Sequence, residues 1–167
     1  MLEARKLLEW HLAREQWKAA SSAIEQLKRE EQELQARRRE CQGKVEQLGV
    51  PAEDDIDARI AYALAQQELL LAEKDIERFM EERFAKEMDL RQSRQEWEDK
   101  AKKLEESLAP RAFLLYEQVA ENVANPVVEV KRRSCMGCFL PLSVAKMEEW
   151  RKGKNFVQCE ECGRILV

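Results

Sequence analysis

From Trp10 onward the apolar residues return at steps of three and four: Trp10, Ala13, Trp17, Ala20, Ile24 and Leu27. After a charged position at Glu31 the series continues through Leu34, Arg38, Cys41, Val45 and Leu48. Steps of three and four mark the seam of an α-helical coiled coil, so this stretch predicts one long helix with charged faults at Glu31 and Arg38. A second series runs Tyr62, Ala65, Leu69, Ala72, Ile76 and Phe79, is broken by Arg83 and Lys86, resumes at Leu90, and is closed by Trp97 and Leu104. Neither arm contains an interior proline, which would interrupt the helix.

Between the arms stands GVPAEDD. Gly49 suits a helix C-cap, Pro51 blocks continuation, and Asp54 or Asp55 can cap the next helix. The arms are therefore expected to fold back on each other. A turn centred between Pro51 and Ala52 gives facing residues a constant sum of 103. That register layers Ile24 on Phe79, Leu27 on Ile76, Leu34 on Leu69, Cys41 on Tyr62 and Val45 on Ala58. It also sets each charged fault against a small residue: Glu31 on Ala72, Arg38 on Ala65 and Arg83 on Ala20, where a long stem can lie across an alanine and carry its head to water. Cys41 reads as seam packing, and His11, the single histidine, lies outside the seam and reads as a surface residue without a role.

Beyond the second arm the pattern changes. In LAPRAFLLYEQVAENVANP, Pro110 suits the first position of a helix, Phe113, Leu114, Tyr116 and Val119 or Ala120 supply an apolar face, and Asn125 with Pro126 ends it. VVEVK then alternates and is valine-rich, which predicts a strand. The expected fold is mainly α: a long antiparallel coiled-coil hairpin over 1–108 with its turn near 49–54, a connecting helix over 109–125, and a small domain with short β-strands over 126–167.

Composition separates that last segment from the rest. Residues 126–167 hold eight Lys/Arg against five Asp/Glu, a net charge of +3, which leaves residues 1–125 at −7 within a total of −4. No apolar run approaches the roughly 18 residues of a membrane span, and MLEARKLLEWHLAREQW carries charges through any signal-peptide core. A soluble, cytoplasmic protein without membrane contact is expected, and in a reducing cytosol paired cysteines bind metal or do redox chemistry more readily than they form structural disulfides.

Cys135 and Cys138 form one C-x2-C, Cys159 and Cys162 another, with twenty residues between the pairs. That is the spacing of a four-thiolate zinc site. Two residues between ligands let both sulfurs reach one tetrahedral ion at about 2.3 Å, and Gly137 and Gly163 supply freedom for such turns. A dithiol oxidoreductase would need its pair at a helix start in a βαβ setting, which is not offered here. An iron centre with four cysteines has the same ligand set. Four thiolates leave no open position for water, so one structural Zn2+ is expected, and metal binding supplies most of the folding free energy of so small a domain. Between the pairs, Ser143 is a plausible N-cap for a Glu-rich helix ending near Gly153, with Met147 and Trp150 packing over Phe139 and Leu140.

A helical hairpin, a short helix with a tyrosine, a strand, then CMGC followed by CEECGRIL resembles the bacterial coiled-coil proteins with a C-terminal C4-type zinc ribbon. The resemblance implies a zinc ribbon beside a long hairpin, with Cys135, Cys138, Cys159 and Cys162 as ligands and no catalytic activity. It also implies protein or nucleic-acid partners, including an alternative sigma factor and flagellar or secretion components.

The chain has no Gly-rich phosphate loop, no paired histidines and no hydrolase nucleophile motif, so an enzyme is not expected. The function predicted is that of a noncatalytic adaptor whose hairpin and ribbon bind protein partners. The alternative is nucleic-acid binding by the ribbon through Lys131, Arg132 and Arg133 beside the first cysteine pair, with Arg151, Lys152, Lys154 and Arg164. Zinc held by four thiolates carries −2, which reduces the ribbon's +3 to +1, and an acidic shaft repels a polyanion, so protein partners rank first. The sequence leaves the oligomeric state open.

Overall fold

The computed structural model describes residues 2–153 and 156–167; Lys154, one of the expected basic contacts, lies outside the described residues. Two long helices, α1 (Leu2–Leu48) and α2 (Ile56–Ser107), pack as a hairpin. A short helix, α3 (Pro110–Ala120), follows. Five two-residue strands and one helix then complete the chain: β1 (Val127–Val128), β2 (Val130–Lys131), β3 (Ser134–Cys135), α4 (Val144–Lys152), β4 (Val157–Gln158) and β5 (Ile165–Leu166). No described helix is long and apolar enough to cross a membrane. The chain divides into two compact units, Ala19–Arg94, and the residues through Lys18 together with Gln95–Val167.

In the Ala19–Arg94 unit most of the predicted seam holds, although Arg38 and Leu48, both expected on it, are exposed. Ala20, Ile24, Cys41, Ala65 and Ala72 are buried, while Leu27, Leu34, Val45, Tyr62, Leu69, Ile76 and Phe79 are half-buried between the arms. Gly49 ends α1 with a left-handed φ of 63° and donates its N–H to Val45 O at 3.2 Å. Asp55 starts α2 by accepting the Ala58 N–H at 2.9 Å.

The register differs from the predicted one. A sum of 103 for facing layers would bring Arg37 beside Glu68 and Lys44 beside Ala61. Instead Arg37 pairs with Asp75 at 3.1 Å and Lys44 with Glu68 at 3.7 Å, each partner one heptad farther along α2. Arg38 likewise reaches Glu73 at 3.5 Å. The loop from Gly49 to Asp55 is therefore not a symmetric turn about Pro51. A slip of one heptad returns every seam residue to the seam, so apolar periodicity is indifferent to it and the ion pairs on the flanks decide. One consequence is that Glu31 and Arg83 are not parked on alanines: Arg83 bonds Glu31 across the arms and Glu87 one turn along at 3.1 Å. Lys86, expected on the seam, is exposed.

In the other unit, Pro110 takes the first position of α3 as predicted, and the buried face is Ala112, Tyr116 and Val119. Leu114, expected on that face, is exposed. Trp10 lies edge-on to both Phe113 and Tyr116, with ring centroids 5.0 Å apart in each pair. His11, expected at the surface, is 3% exposed, with Nδ1 2.8 Å from the Tyr116 hydroxyl. It flanks the seam on the side that α3 covers.

Strand VVEVK is split in two. β1 pairs with β5 in parallel, Val127 on Ile165 and Val128 on Leu166, and β5 pairs with β4 antiparallel. β2 forms a separate antiparallel hairpin with β3. Because side chains alternate across a strand, β1 and β5 serve two cores at once. Val127 and Ile165 join Leu7, Trp10, Ala101 and Ala112 at the helix base. Val128 and Leu166 join Cys135, Cys159, Met147 and Val157 on the opposite face. The cysteines are thus held on a two-layered platform rooted in the helices.

Candidate metal centre

The two cysteine pairs are built alike. In the first, Cys135 ends β3, its N–H donates to Leu140 O at 3.0 Å, and its carbonyl accepts the Phe139 N–H at 2.7 Å. In the second, Cys159 follows β4, its N–H donates to Arg164 O at 2.8 Å, and its carbonyl accepts the Gly163 N–H at 2.9 Å. Each turn closes on a left-handed residue, Phe139 at φ 63° and Gly163 at φ 70°. Gly163 supplies the freedom expected of it. Gly137 does something else: it has no positive φ, but a Cβ there would stand 2.4 Å from Cδ of Arg164.

Arg164 fills that space. Its Nε donates to Asn125 O at 3.0 Å, and its backbone and side chain both hydrogen-bond to Cys162. Glu160 ties the second pair to α4 by accepting from Ser143 N at 2.9 Å and from Ser143 Oγ at 3.1 Å, while Ser143 Oγ caps α4 by accepting the Lys146 N–H at 3.2 Å. Neither Glu160 nor this use of Arg164 was read from the sequence. The one available signal was an acid directly after Cys159, facing the predicted N-cap. Ser143 and Gly153 cap α4 as predicted, the latter at φ 59°. Met147 and Trp150 pack on Val128, Leu142 and Val157, whereas Phe139 and Leu140 are exposed.

The four sulfurs converge. Cys135 and Cys162 Sγ lie 3.7 Å apart, Cys138 and Cys159 Sγ 3.8 Å apart, and all four are within 4.8 Å of one another. A tetrahedron with metal–sulfur bonds of about 2.3 Å has edges of about 3.8 Å, which the Cys135–Cys162 and Cys138–Cys159 separations match, while the other pairs lie within 4.8 Å. None is in a disulfide. Burial pushes the Cys135 thiol up to about 12 and raises Cys159 as well. Burial also acts upward on Cys162, but hydrogen bonds from Arg164, Cys138 and Cys159 outweigh it and bring that thiol down to about 7.

Residues 134–166 match the C4-type zinc ribbon domain. The ligand set and its spacing fit a single Zn2+ with no position left for water, so the ion would hold the two turns together and neutralise charge. No curated protein matches the chain. Among solved structures it is similar over 98% of its length to CT398 from Chlamydia trachomatis, at 20% identity, 84% coverage of that chain and a TM-score of 0.41. It is also similar over 98% of its length to the HP0958 protein from Helicobacter pylori, at 20% identity, 81% coverage and a TM-score of 0.36.

The expected basic residues are placed as follows. Lys131, Arg132 and Arg133 come together at the β2–β3 hairpin, whose two-residue turn holds Arg132 at φ 51° and Arg133 at φ 62°, both exposed. Lys131 is ion-paired with Glu129. Leu142 N–H bonds Arg133 O at 2.8 Å, which sets that turn beside the start of α4. Arg151 and Lys152 are exposed at the other end of α4, one helix length of about 12 Å away. Arg164 is half-buried at the knuckle.

Proposed function

We propose that this protein is a noncatalytic zinc-binding adaptor. Its hairpin and ribbon bind protein partners, with an alternative sigma factor or a flagellar or secretion component as the partner class that the sequence resemblance suggests. The observation that supports this reading is the saturated metal centre: four converging thiols leave no coordination position for a substrate or an activated water. What such a centre supplies is a fixed surface, and a fixed surface serves recognition. The hairpin adds a second surface, with large apolar side chains exposed along α2.

A second reading is favoured by one feature. Arg132 and Arg133 occupy a left-handed two-residue turn, where Asn or Gly is the usual choice, and both residues are exposed, where a phosphate can reach them. Crosslinking the full, zinc-loaded chain in native cytosol distinguishes the two. Adaptor function predicts a defined protein partner whose capture survives nuclease and falls in variants of the ribbon or of α2. Capture abolished by nuclease and by R132E/R133E, with salt-dependent binding of short RNA or DNA, assigns the ribbon to nucleic acid instead.

A further inference from the structure

The seam of α2 faces α1, yet the opposite side of the same helix is not polar throughout. Leu70 (51% exposed), Leu71 (49%), Phe84 (74%) and Met88 (54%) stand on positions turned away from the seam residues Leu69, Ala72, Ile76, Phe79 and Arg83. Between these two apolar groups, on the same outward positions, lie Lys74, Glu77, Arg78 and Glu81, all exposed. Among the described residues none of the four makes an ion pair within the chain, whereas the flanking acids Glu68, Glu73 and Asp75 are taken up by α1.

Read in either direction, this block is complementary to itself. Its order is plus, minus, plus, minus, so a copy running antiparallel meets it with the opposite sign at every position. The three-residue spaces on either side of the adjacent pair Glu77–Arg78 are equal as well. We propose that the outer face of α2 binds the same face of a second copy, antiparallel and about a two-fold axis. Lys74 lies opposite the second copy's Glu81 and Glu77 opposite the second copy's Arg78. The same register lays Leu71 on the second copy's Phe84 and Leu70 on the second copy's Ala85, on both sides of the axis. Charge thus fixes direction and register while the apolar ends supply burial. A heterologous helix would have no reason to match an order that is its own complement, and this favours a second copy over another protein. The overlap, on the order of 30 Å of helix, is at the small end of specific interfaces, so the dimer is a weak, concentration-dependent one. This proposal is independent of the zinc site and of the adaptor reading.

Sedimentation equilibrium of the zinc-loaded full chain tests it, with circular dichroism to confirm that each variant keeps its helix content. The wild type is expected to pass from monomer to dimer as concentration rises. F84D and R78E are each expected to raise the dissociation constant at least about tenfold. The swap E77R/R78E restores the opposite-sign pairs and is expected to bring the dimer back, and I60E, outside the overlap, leaves it unchanged. A chain that stays monomeric to millimolar concentration overturns the proposal. So does a dimer indifferent to F84D and R78E, a double swap that fails to recover, or a monomeric chain whose Phe84 face captures a different protein.

Discussion

The space that Gly137 leaves empty is the space that Arg164 occupies: a Cβ on the former would stand 2.4 Å from Cδ of the latter. Arg164 belongs to the second cysteine turn and Gly137 to the first, so the contact locks the two halves of the metal site in one orientation. Its guanidinium also anchors Asn125 O and bonds Cys162.

Removing either member should loosen the site without abolishing it. R164A and G137A are each expected to lower zinc affinity about tenfold, with the double variant little worse than either single one, because each breaks the same contact. Competition with a chromophoric chelator measures this. Affinities that fall additively would show that the two residues act separately.

Zinc removal should melt the ribbon and leave most of the helix. Zinc binding in small zinc peptides is worth about 10–16 kcal/mol, and Cys135 and Cys159 occupy the centre of their core. Chelation, or C135S, is therefore expected to expose the segment from Val127 to Val167 to protease while far-UV dichroism changes little. Because Val127 and Ile165 also belong to the core of Trp10, tryptophan emission should shift in step. Cobalt in place of zinc should give the thiolate charge-transfer bands of a four-sulfur site.

How far the sequence reached depended on the kind of physics involved. The metal ligands were legible because spacing alone brings two C-x2-C pairs to one ion, and the seam positions were legible because period 3.5 fixes a helix face. Register was not, since Leu34 sits on the seam in either of two alignments one heptad apart and only pairs such as Arg37–Asp75 separate them. His11 was misplaced for a related reason: what buries it is Tyr116, 105 residues away on a helix whose docking side no local pattern announces. Gly137 showed a need for glycine but not which need, conformational freedom or room.

The buried histidine makes the helix base sensitive to acid. Burial holds the His11 imidazole below its ordinary 6.5, while Glu15 and the Asn125 side chain act in the opposite sense without overcoming it. The unfolded chain therefore binds a proton at a pH where the folded chain does not. Stability is complete above 6.5 and is lost as pH falls through that value and below, by at most about 1.4 kcal/mol per pH unit for one group. Urea midpoints taken from about pH 7.5 to about pH 5.5 should fall more steeply for the wild type than for H11Q, which has no proton to take up. Equal slopes would remove His11 from the account.

The observed register makes a prediction that the 103 register does not. Arg83 bonds Glu31 across the hairpin, and both are three-quarters or more buried. R83L removes the cross-arm partner of the Glu31 carboxylate and leaves it only the Gln35 side-chain amide, at 3.5 Å, so it should cost about 1–2 kcal/mol. Replacing both, E31L/R83L, converts the pair to an apolar layer and should return the urea midpoint to the wild-type value or above it, since well-packed apolar groups commonly match an ion pair they replace. Were Arg83 lying on Ala20 and Glu31 on Ala72, the two changes would sit several turns apart and their effects would simply add. A positive coupling energy in this double-mutant cycle thus reports directly which turn of α2 faces Glu31.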